Sequence, residues 1–296
     1  MEVNKNPSRE EHKIKLKDKL IVITGAGRGI GREIALACAR NGARVIITAR
    51  STSELKKTAD DILEQTGNSC AYLSCDVSQK DDLAKLVEKV QSSDGILYGL
   101  ICAAGIYGSL GPFADTPFEE WEKAIDINLK GTARTIHSLL PFIKKGGGGR
   151  IVLFSGGGQG SMPNFSSYVT SKGGIWRFTE TLAAELAADH IYLNSIAPGA
   201  VNTKLLDELL QAGPSRVGQA FYQKSLEQKA KGGESPDKAA ELCLYLMSEK
   251  SHGLYGKMIS AIWDDYQGFT DLESMSRSDL FTVRRIVDSA GGTRGK

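Results

Sequence analysis

The chain has 296 residues, of which 41% are hydrophobic and 24% charged, and its formal net charge is +2. These values are typical of a soluble globular protein with enough apolar residues for a sizeable core. A charge so close to zero gives no electrostatic reason to expect nucleic acid or an acidic membrane surface as the main partner. No apolar run has the length of a signal peptide or of a membrane-spanning helix. We therefore expect a cytoplasmic protein.

The cysteines do not suggest a disulfide framework. They are odd in number, they contain no CxxC pair, and none has a spacing to histidine that suits a metal ion. We expect small buried side chains in a reducing compartment, and no metal site. The residues are Cys38, Cys70, Cys75, Cys102 and Cys243.

After a polar N-terminal arm, residues 1–17, short apolar runs alternate with amphipathic helical patterns such as Ile30–Asn41 and Glu180–Ala188. The apolar runs predict seven strands at Leu20–Thr24, Arg44–Ala49, Ala71–Cys75, Gly99–Cys102, Arg150–Ser155, Tyr192–Ala197 and Lys257–Ile262. Short strands that alternate with longer helices indicate βαβ units joined by right-handed crossovers. The predicted fold class is α/β, a doubly wound Rossmann-type parallel sheet of about seven strands with helices on both faces, in a three-layer sandwich.

No linker interrupts this alternation, so residues 18–263 are predicted to form a single domain. Two segments lie outside the rhythm. Lys204–Gly232 is a largely helical insertion, bounded by turns that contain glycine or proline, and it is a candidate substrate lid. Residues 264–296 form a polar C-terminal tail, whose end from Ser289 to Lys296 is expected to be disordered.

A glycine-rich motif follows the first predicted strand and opens the first helix. It reads Thr24-Gly25-Ala26-Gly27-Arg28-Gly29-Ile30-Gly31. Glycine at these positions allows a tight turn and a close approach of the backbone to a pyrophosphate, which then lies on free N–H groups at the helix N-terminus. Glycines also form ordinary turns, but at the first strand-to-helix turn of an alternating α/β chain a dinucleotide site is favoured.

The end of the second strand bears on the choice of cofactor. NAD sites of this fold usually carry an acidic residue there, which binds the ribose 2′-hydroxyl. Here Ala49 and Arg50 occupy that place and no acid follows until Glu54. The Arg50 guanidinium could bind a 2′-phosphate, and Arg28 could assist it. We therefore expect NADP(H) to be preferred, with NAD(H) possible, although either arginine could also be an ordinary surface residue.

A third group of residues suggests proton transfer. Tyr168 and Lys172 are four residues apart at the start of a helix, so their side chains share one face. A free tyrosine has a pKa of about 10, and a nearby ammonium favours the phenolate. The pair could then exchange a proton with a carbonyl or alcohol oxygen. Ser155, at the end of the fifth strand, could bind the same oxygen, or could simply begin the glycine-rich turn that follows.

Taken together, these motifs resemble those of the short-chain dehydrogenase/reductase family, in its common single-domain type, from about Leu16 to Ile262. The matching pieces, in the family's order, are the glycine-rich turn, Asp76-Val77, Ala103-Ala104-Gly105, Asn128 within Asp126-Ile127-Asn128-Leu129, Ser155, Tyr168 with Lys172, and Asn194-Ser195-Ile196-Ala197-Pro198-Gly199 leading to Thr203.

The resemblance implies a catalytic tetrad. Asn128 would hold a water in a proton relay and Ser155 would orient the substrate oxygen. Tyr168 would transfer the proton, and Lys172 would bind the nicotinamide ribose and lower the pKa of the tyrosine. The implied cofactor-binding residues are Gly25, Arg28, Gly29, Ile30, Gly31, Arg50, Asp76, Val77, Ala104, Gly105, Tyr168, Lys172, Pro198, Gly199, Val201 and Thr203. The implied partner is a small carbonyl or alcohol substrate.

Three features depart from the family pattern. The usual Asn-Asn-Ala-Gly reads Cys102-Ala103-Ala104-Gly105, which removes side-chain hydrogen bonds and leaves the backbone contacts. The serine strand carries one serine, Ser155, where many relatives have two. The last strand leads into Trp263 and a polar tail rather than an Asp-Gly-Gly turn.

Other functions remain open at this stage. Within the same chemistry, a 3-oxoacyl-(acyl-carrier-protein) reductase is the alternative; a non-catalytic nucleotide-binding regulator is an alternative from another class. Sugar-nucleotide epimerases share the tyrosine–lysine pair but usually carry a larger C-terminal substrate domain. The substrate itself is not predicted, because surface loops form the pocket. Relatives pair helices corresponding to Phe118–Ile143 and Ser166–Ala188, so we expect a homodimer or homotetramer.

Overall fold

A computed structural model of the chain describes residues 16–156 and 160–284. The predictions for most of the polar arm and for the end of the tail lie outside the described residues. The same is true of residues 157–159, which follow Ser155 and Gly156.

The described residues form one seven-stranded sheet in the order β3-β2-β1-β4-β5-β6-β7, with every neighbouring pair parallel. The predicted doubly wound α/β fold is therefore confirmed. The strands are β1 Leu20–Thr24, β2 Arg44–Ala49, β3 Ala71–Ser74, β4 Gly99–Cys102, β5 Gly149–Phe154, β6 Ile191–Ala197 and β7 Met258–Ser260.

Eleven α-helices lie within the described residues. They are α1 Gly29–Arg40, α2 Thr52–Thr66, α3 Lys80–Gln91, α4 Phe118–Ala124, α5 Thr132–Lys145, α6 Ser166–Leu186, α7 Lys204–Ala212, α8 Pro214–Val217, α9 Gln219–Lys231, α10 Pro236–Met247 and α11 Leu272–Arg277. A π-helical segment, Ile125–Gly131, joins α4 to α5. None of these helices is long and apolar enough to cross a lipid bilayer.

The strands are almost wholly apolar because both faces of the sheet are covered. Successive side chains of a strand point to opposite faces. Ile21 and Ile23 accordingly pack into a core with α1 and α10, whereas Val22 packs into a second core with α3, α5 and α6. This double burial explains why the strands read as continuous hydrophobic runs rather than as alternating patterns.

The strand order changes direction between β1 and β4. The connection from β1 runs to β2 on one side, and the connection from β3 returns to β4 on the other side of β1. In parallel sheets a crevice opens at such a point, beyond the carboxyl ends of the strands. The glycine-rich turn after β1 and the loop after β4 both lie at this crevice.

The described part of the tail after β7, residues 264–284, contacts the rest of the fold despite its polar composition. Phe269 and Leu272 pack against the core of the α1 face. The carboxylate of Glu180, on α6, accepts hydrogen bonds from the Val283 amide at 2.6 Å and from Arg284 at 2.9 Å. This part of the tail therefore runs from β7 to α6 and is hydrogen-bonded to Glu180 there.

Candidate active site

The glycine-rich turn after β1 requires glycine at specific positions. Gly25 and Gly29 have φ values of +68° and +56°, in the left-handed region that favours glycine. A Cβ on Gly25 would lie 2.7 Å from the backbone nitrogen of Ala104. The turn can therefore lie directly against the loop that follows β4, and the Ala104 amide also donates to the Thr24 hydroxyl at 3.3 Å.

Helix α1 begins immediately at this turn and has no acidic residue in its first turn. Its first N–H groups have no partner within the helix and carry the positive end of the helix dipole. Together with the close glycine backbone, this arrangement fits the pyrophosphate of a dinucleotide.

A cleft of about 440 Å³ lies above the turn. Fourteen of the predicted cofactor residues line it: Gly25, Arg28, Gly29, Ile30, Gly31, Arg50, Asp76, Val77, Ala104, Gly105, Tyr168, Lys172, Pro198 and Thr203. The structure thus brings residues from six separate loops and helices to one crevice.

Two predicted cofactor residues lie away from the cleft lining. Val201 is buried and bridges to Gly233 and Glu234. Gly199 has a φ of +87°, and a Cβ there would collide with the Ile262 side chain. Both residues shape the turn after β6 that presents Pro198 and Thr203 to the cleft.

The two arginines expected at a 2′-phosphate differ in their surroundings. Arg50 is exposed, and its guanidinium makes no ion pair within the described residues. Arg28 Nη1 lies 3.0 Å from Glu54 Oε1, and Arg28 Nη2 lies 4.0 Å from Glu208 Oε1 on α7. The positive charge of Arg28 is therefore already balanced by the carboxylates of Glu54 and Glu208.

Sequence reasoning noted Glu54 only as the first acid after β2 and did not place it in the site. Glu54 lines the cleft, and its amide donates to the Ser51 hydroxyl at 3.3 Å. Ser51 and Glu54 have the spacing of a helix N-terminal capping box. The capping-box spacing places Glu54 in the first turn of α2, beside the glycine-rich turn. The position of Glu54 could therefore have been predicted from the sequence.

Tyr168 and Lys172 share one face of α6, as their spacing predicts. The Lys172 ammonium lies 5.7 Å from the centre of the Tyr168 ring and donates to the Phe154 carbonyl at 2.9 Å. The Tyr168 hydroxyl donates to the Gly156 carbonyl at 3.3 Å. The end of β5 therefore holds the polar groups of both side chains.

Burial dominates the pKa values of this pair. Desolvation lowers the pKa of Lys172 from 10.5 to about 8. Burial, followed by the neighbouring Tyr107, raises the pKa of the Tyr168 hydroxyl above its ordinary value. The lowering of the tyrosine pKa by Lys172, which the resemblance implies, stays a prediction.

Asn128 is fully buried within the π-helical segment. Its side-chain oxygen accepts from the Ile106 amide, and its side-chain nitrogen donates to the Ile106 carbonyl, each at 2.9 Å. The same nitrogen lies 2.9 Å from the Ser171 hydroxyl, which donates to the Tyr168 carbonyl at 2.7 Å. Asn128 thus connects the loop after β4 to the backbone of α6; Ser171, inside the Tyr-Val-Thr-Ser-Lys motif, completes a link that the sequence analysis missed.

Ser155 follows β5 and is fully buried. Its hydroxyl donates to the Lys172 carbonyl at 3.0 Å. The structure therefore brings Ser155 to α6, on which Tyr168 lies, although Ser155 is not among the residues that line the cleft. Two neighbouring residues therefore hold Lys172. The Ser155 hydroxyl bonds to its backbone carbonyl, and the Phe154 carbonyl, at the end of β5, accepts from its ammonium.

The comparisons with known proteins agree with this geometry. A sequence model described as "short chain dehydrogenase" matches residues 19–213. The short chain dehydrogenase/reductase astE of Aspergillus oryzae is 31% identical over 253 residues, covering 84% of this chain and 95% of its own length. The cyclohexanol dehydrogenase of an Acinetobacter strain is 33% identical over 199 residues, covering 67% of this chain and 79% of its own length.

Solved structures show the same fold. A short chain dehydrogenase structure from Shigella flexneri, complexed with NADP, superimposes with a TM-score of 0.73 at 27% identity, covering 84% of this chain and 99% of the other.

The fold and the crevice define a dinucleotide-binding α/β oxidoreductase. The chain belongs to the short-chain dehydrogenase/reductase family. Members of this family act on alcohol and carbonyl groups of small substrates with NAD(P). The resemblance inferred from the motifs is confirmed.

Proposed function

We propose that this chain is an NADP(H)-dependent oxidoreductase that transfers a hydride between the nicotinamide cofactor and a small carbonyl or alcohol substrate. One observation carries the proposal: Tyr168 and Lys172 line the same cleft as the glycine-rich turn at the N-terminus of α1. A proton-transferring hydroxyl and a pyrophosphate site are thereby combined in one crevice.

When bound, the cofactor supplies or accepts the hydride. In reduction, Tyr168 gives its phenolic proton to the substrate oxygen, so the carbonyl becomes an alcohol. Lys172 stabilises the resulting phenolate through its ammonium and binds the nicotinamide ribose. Gly25 and Gly29 place the backbone against the pyrophosphate, and Asp76, Val77, Ala104 and Gly105 line the adenosine side of the cleft.

The catalytic roles of Asn128, in a water relay, and of Ser155, in orienting the substrate oxygen, stay predictions. The Asn128 side chain fixes the loop after β4 to α6, which supports a positioning role beside the water relay implied by the family. For Ser155 to donate to the substrate oxygen, its hydroxyl proton must turn from the Lys172 carbonyl towards the substrate.

The preference for NADP(H) is part of the proposal. Arg50 is free to meet a 2′-phosphate, and the related Shigella flexneri structure is complexed with NADP. NAD(H) stays possible, because Glu54 lies in the same part of the cleft. We also keep the cytoplasmic location, the single catalytic domain over residues 18–263, and the homodimer or homotetramer as predictions.

The experiment is a screen of NADPH and NADH oxidation across ketones, keto-sugars and acyl thioesters. The proposal expects NADPH oxidation with at least one simple ketone or its reverse with the alcohol. Turnover confined to 3-oxoacyl thioesters would instead favour the carrier-protein reductase. Tight cofactor binding without turnover of any substrate would favour a nucleotide-binding regulator.

A further inference from the structure

Four aromatic rings form a continuous row from the proposed catalytic hydroxyl to helix α9. The ring centres of Tyr168 and Tyr107 lie 4.9 Å apart, those of Tyr107 and Phe165 lie 5.6 Å apart, and those of Phe165 and Phe221 lie 4.9 Å apart. The first two contacts are edge-to-face, the geometry that aromatic pairs prefer. We call these four residues the aromatic row.

The candidate lid closes over this row. Leu209 on α7 and Val217 on α8 are buried with Phe165, which is only 1% exposed. Phe221 and Tyr222 on α9 pack against the same cluster and are half-buried. The candidate lid therefore packs its apolar side chains against the same cluster as Tyr168, which is half-buried.

Charged groups lie at the margins of the row. Glu208 on α7 is the charged neighbour that acts on Tyr107, and it is also close to Arg28 on the cofactor side. Arg216 on α8 lies on the far side, beside Gly111 and Thr116. The hydrophobic side chains packed around Phe165 include three that carry hydroxyls, those of Tyr107, Tyr168 and Tyr222. The buried hydroxyl of Ser167 also lies beside them and donates to the Tyr107 carbonyl at 3.2 Å.

Tyr168 lines the cofactor cleft, and on its lid side the body of a substrate would take the place of part of the lid against Phe165 and Tyr107. An apolar substrate body buries these side chains again, so the free energy lost on opening the lid is recovered. A charged or strongly polar body does not recover that free energy, and it also loses its own hydration. Binding is therefore more favourable for an apolar substrate than for a charged one, and this selection precedes the chemical step.

We propose that the substrate is an uncharged ketone or secondary alcohol with an apolar, ring-containing body, which lies along Tyr107, Phe165 and Phe221 with its oxygen at Tyr168. This inference rests on the proposed oxidoreductase function and specifies its substrate class. The reaction is balanced as ketone plus NADPH plus one proton giving the secondary alcohol plus NADP⁺.

Three ketones that share one reacting group test this. Cyclohexanone, 4-ethylcyclohexanone and 4-oxocyclohexanecarboxylate differ only at the carbon opposite the carbonyl, so intrinsic reactivity changes little. We expect kcat/KM to rise by about tenfold from cyclohexanone to the ethyl compound, and to fall by about tenfold or more for the carboxylate.

Two variants on α9 localise the effect. Phe221→Ala should lower kcat/KM for the ethyl compound by about tenfold and for cyclohexanone by less than about threefold. Leu226→Ala is the matched control, because Leu226 is on the same helix and 39% exposed; it should leave the order of the three ketones unchanged. Thermal melting of both variants checks that the lid still folds.

The outcomes distinguish failure of the substrate class from failure of the proposed oxidoreductase function. Equal or faster turnover of the carboxylate, or an equal loss on all three ketones in Phe221→Ala, overturns the substrate class. Cofactor binding by fluorescence titration without reduction of any of the three ketones also overturns it, and leaves the cofactor half of the proposed function standing. Failure to bind either NADPH or NADH overturns the proposed function itself.

Discussion

Arg50 extends into solvent at the carboxyl end of β2, beside the cleft, and its guanidinium is not neutralised by a described carboxylate. We predict that Arg50→Ala weakens NADPH binding by about tenfold or more, because a charge-assisted hydrogen bond to the 2′-phosphate is lost. NADH binding should change by less than about twofold, since it has no 2′-phosphate. Equilibrium fluorescence titration of both cofactors measures this; an equal loss for both would contradict the role of Arg50.

Glu54 acts in the opposite direction at the same place. Its carboxylate pairs with Arg28 at 3.0 Å and would lie close to an incoming 2′-phosphate. Glu54→Gln removes a negative charge with little change in shape and releases Arg28. We predict NADPH binding tighter by about threefold at low salt, with a smaller gain at high salt because exposed charges are screened.

Glu208→Gln serves as the comparison for this second change. Glu208 lies farther from Arg28, at 4.0 Å, so its removal should have the weaker effect on NADPH binding. If Glu54→Gln left the ratio of NADPH to NADH affinity unchanged, Glu54 would have no part in cofactor choice.

At the scale of secondary-structure elements, α7, α8 and α9 form a layer bounded by glycines. Gly213, Gly218 and Gly232 have φ values of +77°, +88° and +94°, so each boundary uses a conformation in which glycine is favoured. Thr203 and Lys204, at the start of this layer, line the cofactor cleft. A layer that begins at the cofactor cleft and has glycines at its boundaries is consistent with the predicted lid.

We predict that NADPH slows amide hydrogen exchange between residues 204 and 232, because contacts between cofactor and the start of α7 stabilise the closed layer. Helix α10 is the internal control, since its core side is buried beneath α1 and it should exchange equally slowly in both states. Equal protection of residues 204–232 with and without NADPH would reject the lid in favour of a static outer layer.

The elements themselves were largely predictable from the sequence, and the reason is local. Strands such as β1 and β4 are short apolar runs ended by glycine or alanine turns, and they occur where predicted. Helix α6, Ser166–Leu186, begins where the inferred helix Ser166–Ala188 begins and ends two residues earlier. The described part of the tail is hydrogen-bonded to Glu180 and Lys257, which are distant in sequence, so no local pattern indicates these contacts.

The candidate site was predictable as a set of residues but not as a set of bonds. Spacing placed Tyr168 and Lys172 on one face of a helix, and the glycines marked the turn. The attachment of the Ser155 hydroxyl to Lys172 and of Asn128 to Ile106 depends on which side chains from separate segments arrive together. Burial and then the neighbouring Tyr107 raise the pKa of Tyr168, and Tyr107 lies outside the motif.

For the whole molecule, assembly is the open structural prediction. The helices expected at an interface carry apolar surface: Phe118 on α4 is 56% exposed and stacks on Trp121 at 5.6 Å. Phe178 and Leu182 on α6 are half-buried at the edge of the core. Apolar patches of this kind are buried when subunits pair.

We predict a homodimer or homotetramer by light scattering at micromolar concentration. Phe118→Glu should shift the population towards the monomer without unfolding it, because the side chain is mostly outside the core. Phe113→Glu is a matched control, since Phe113 is 61% exposed but lies outside the two predicted interface helices. A monomeric wild-type protein under these conditions would contradict the prediction.

The central claim is that Tyr168 transfers the proton at a site built for the cofactor. Tyr168→Phe keeps the ring that packs on Tyr107 and removes only the hydroxyl, so single-turnover oxidation of NADPH with a ketone substrate tests the claim most directly. The account predicts an unchanged melting temperature, NADPH affinity within about twofold, and hydride transfer slower by about a hundredfold to ten-thousandfold. Hydride transfer at the wild-type rate in Tyr168→Phe would contradict it.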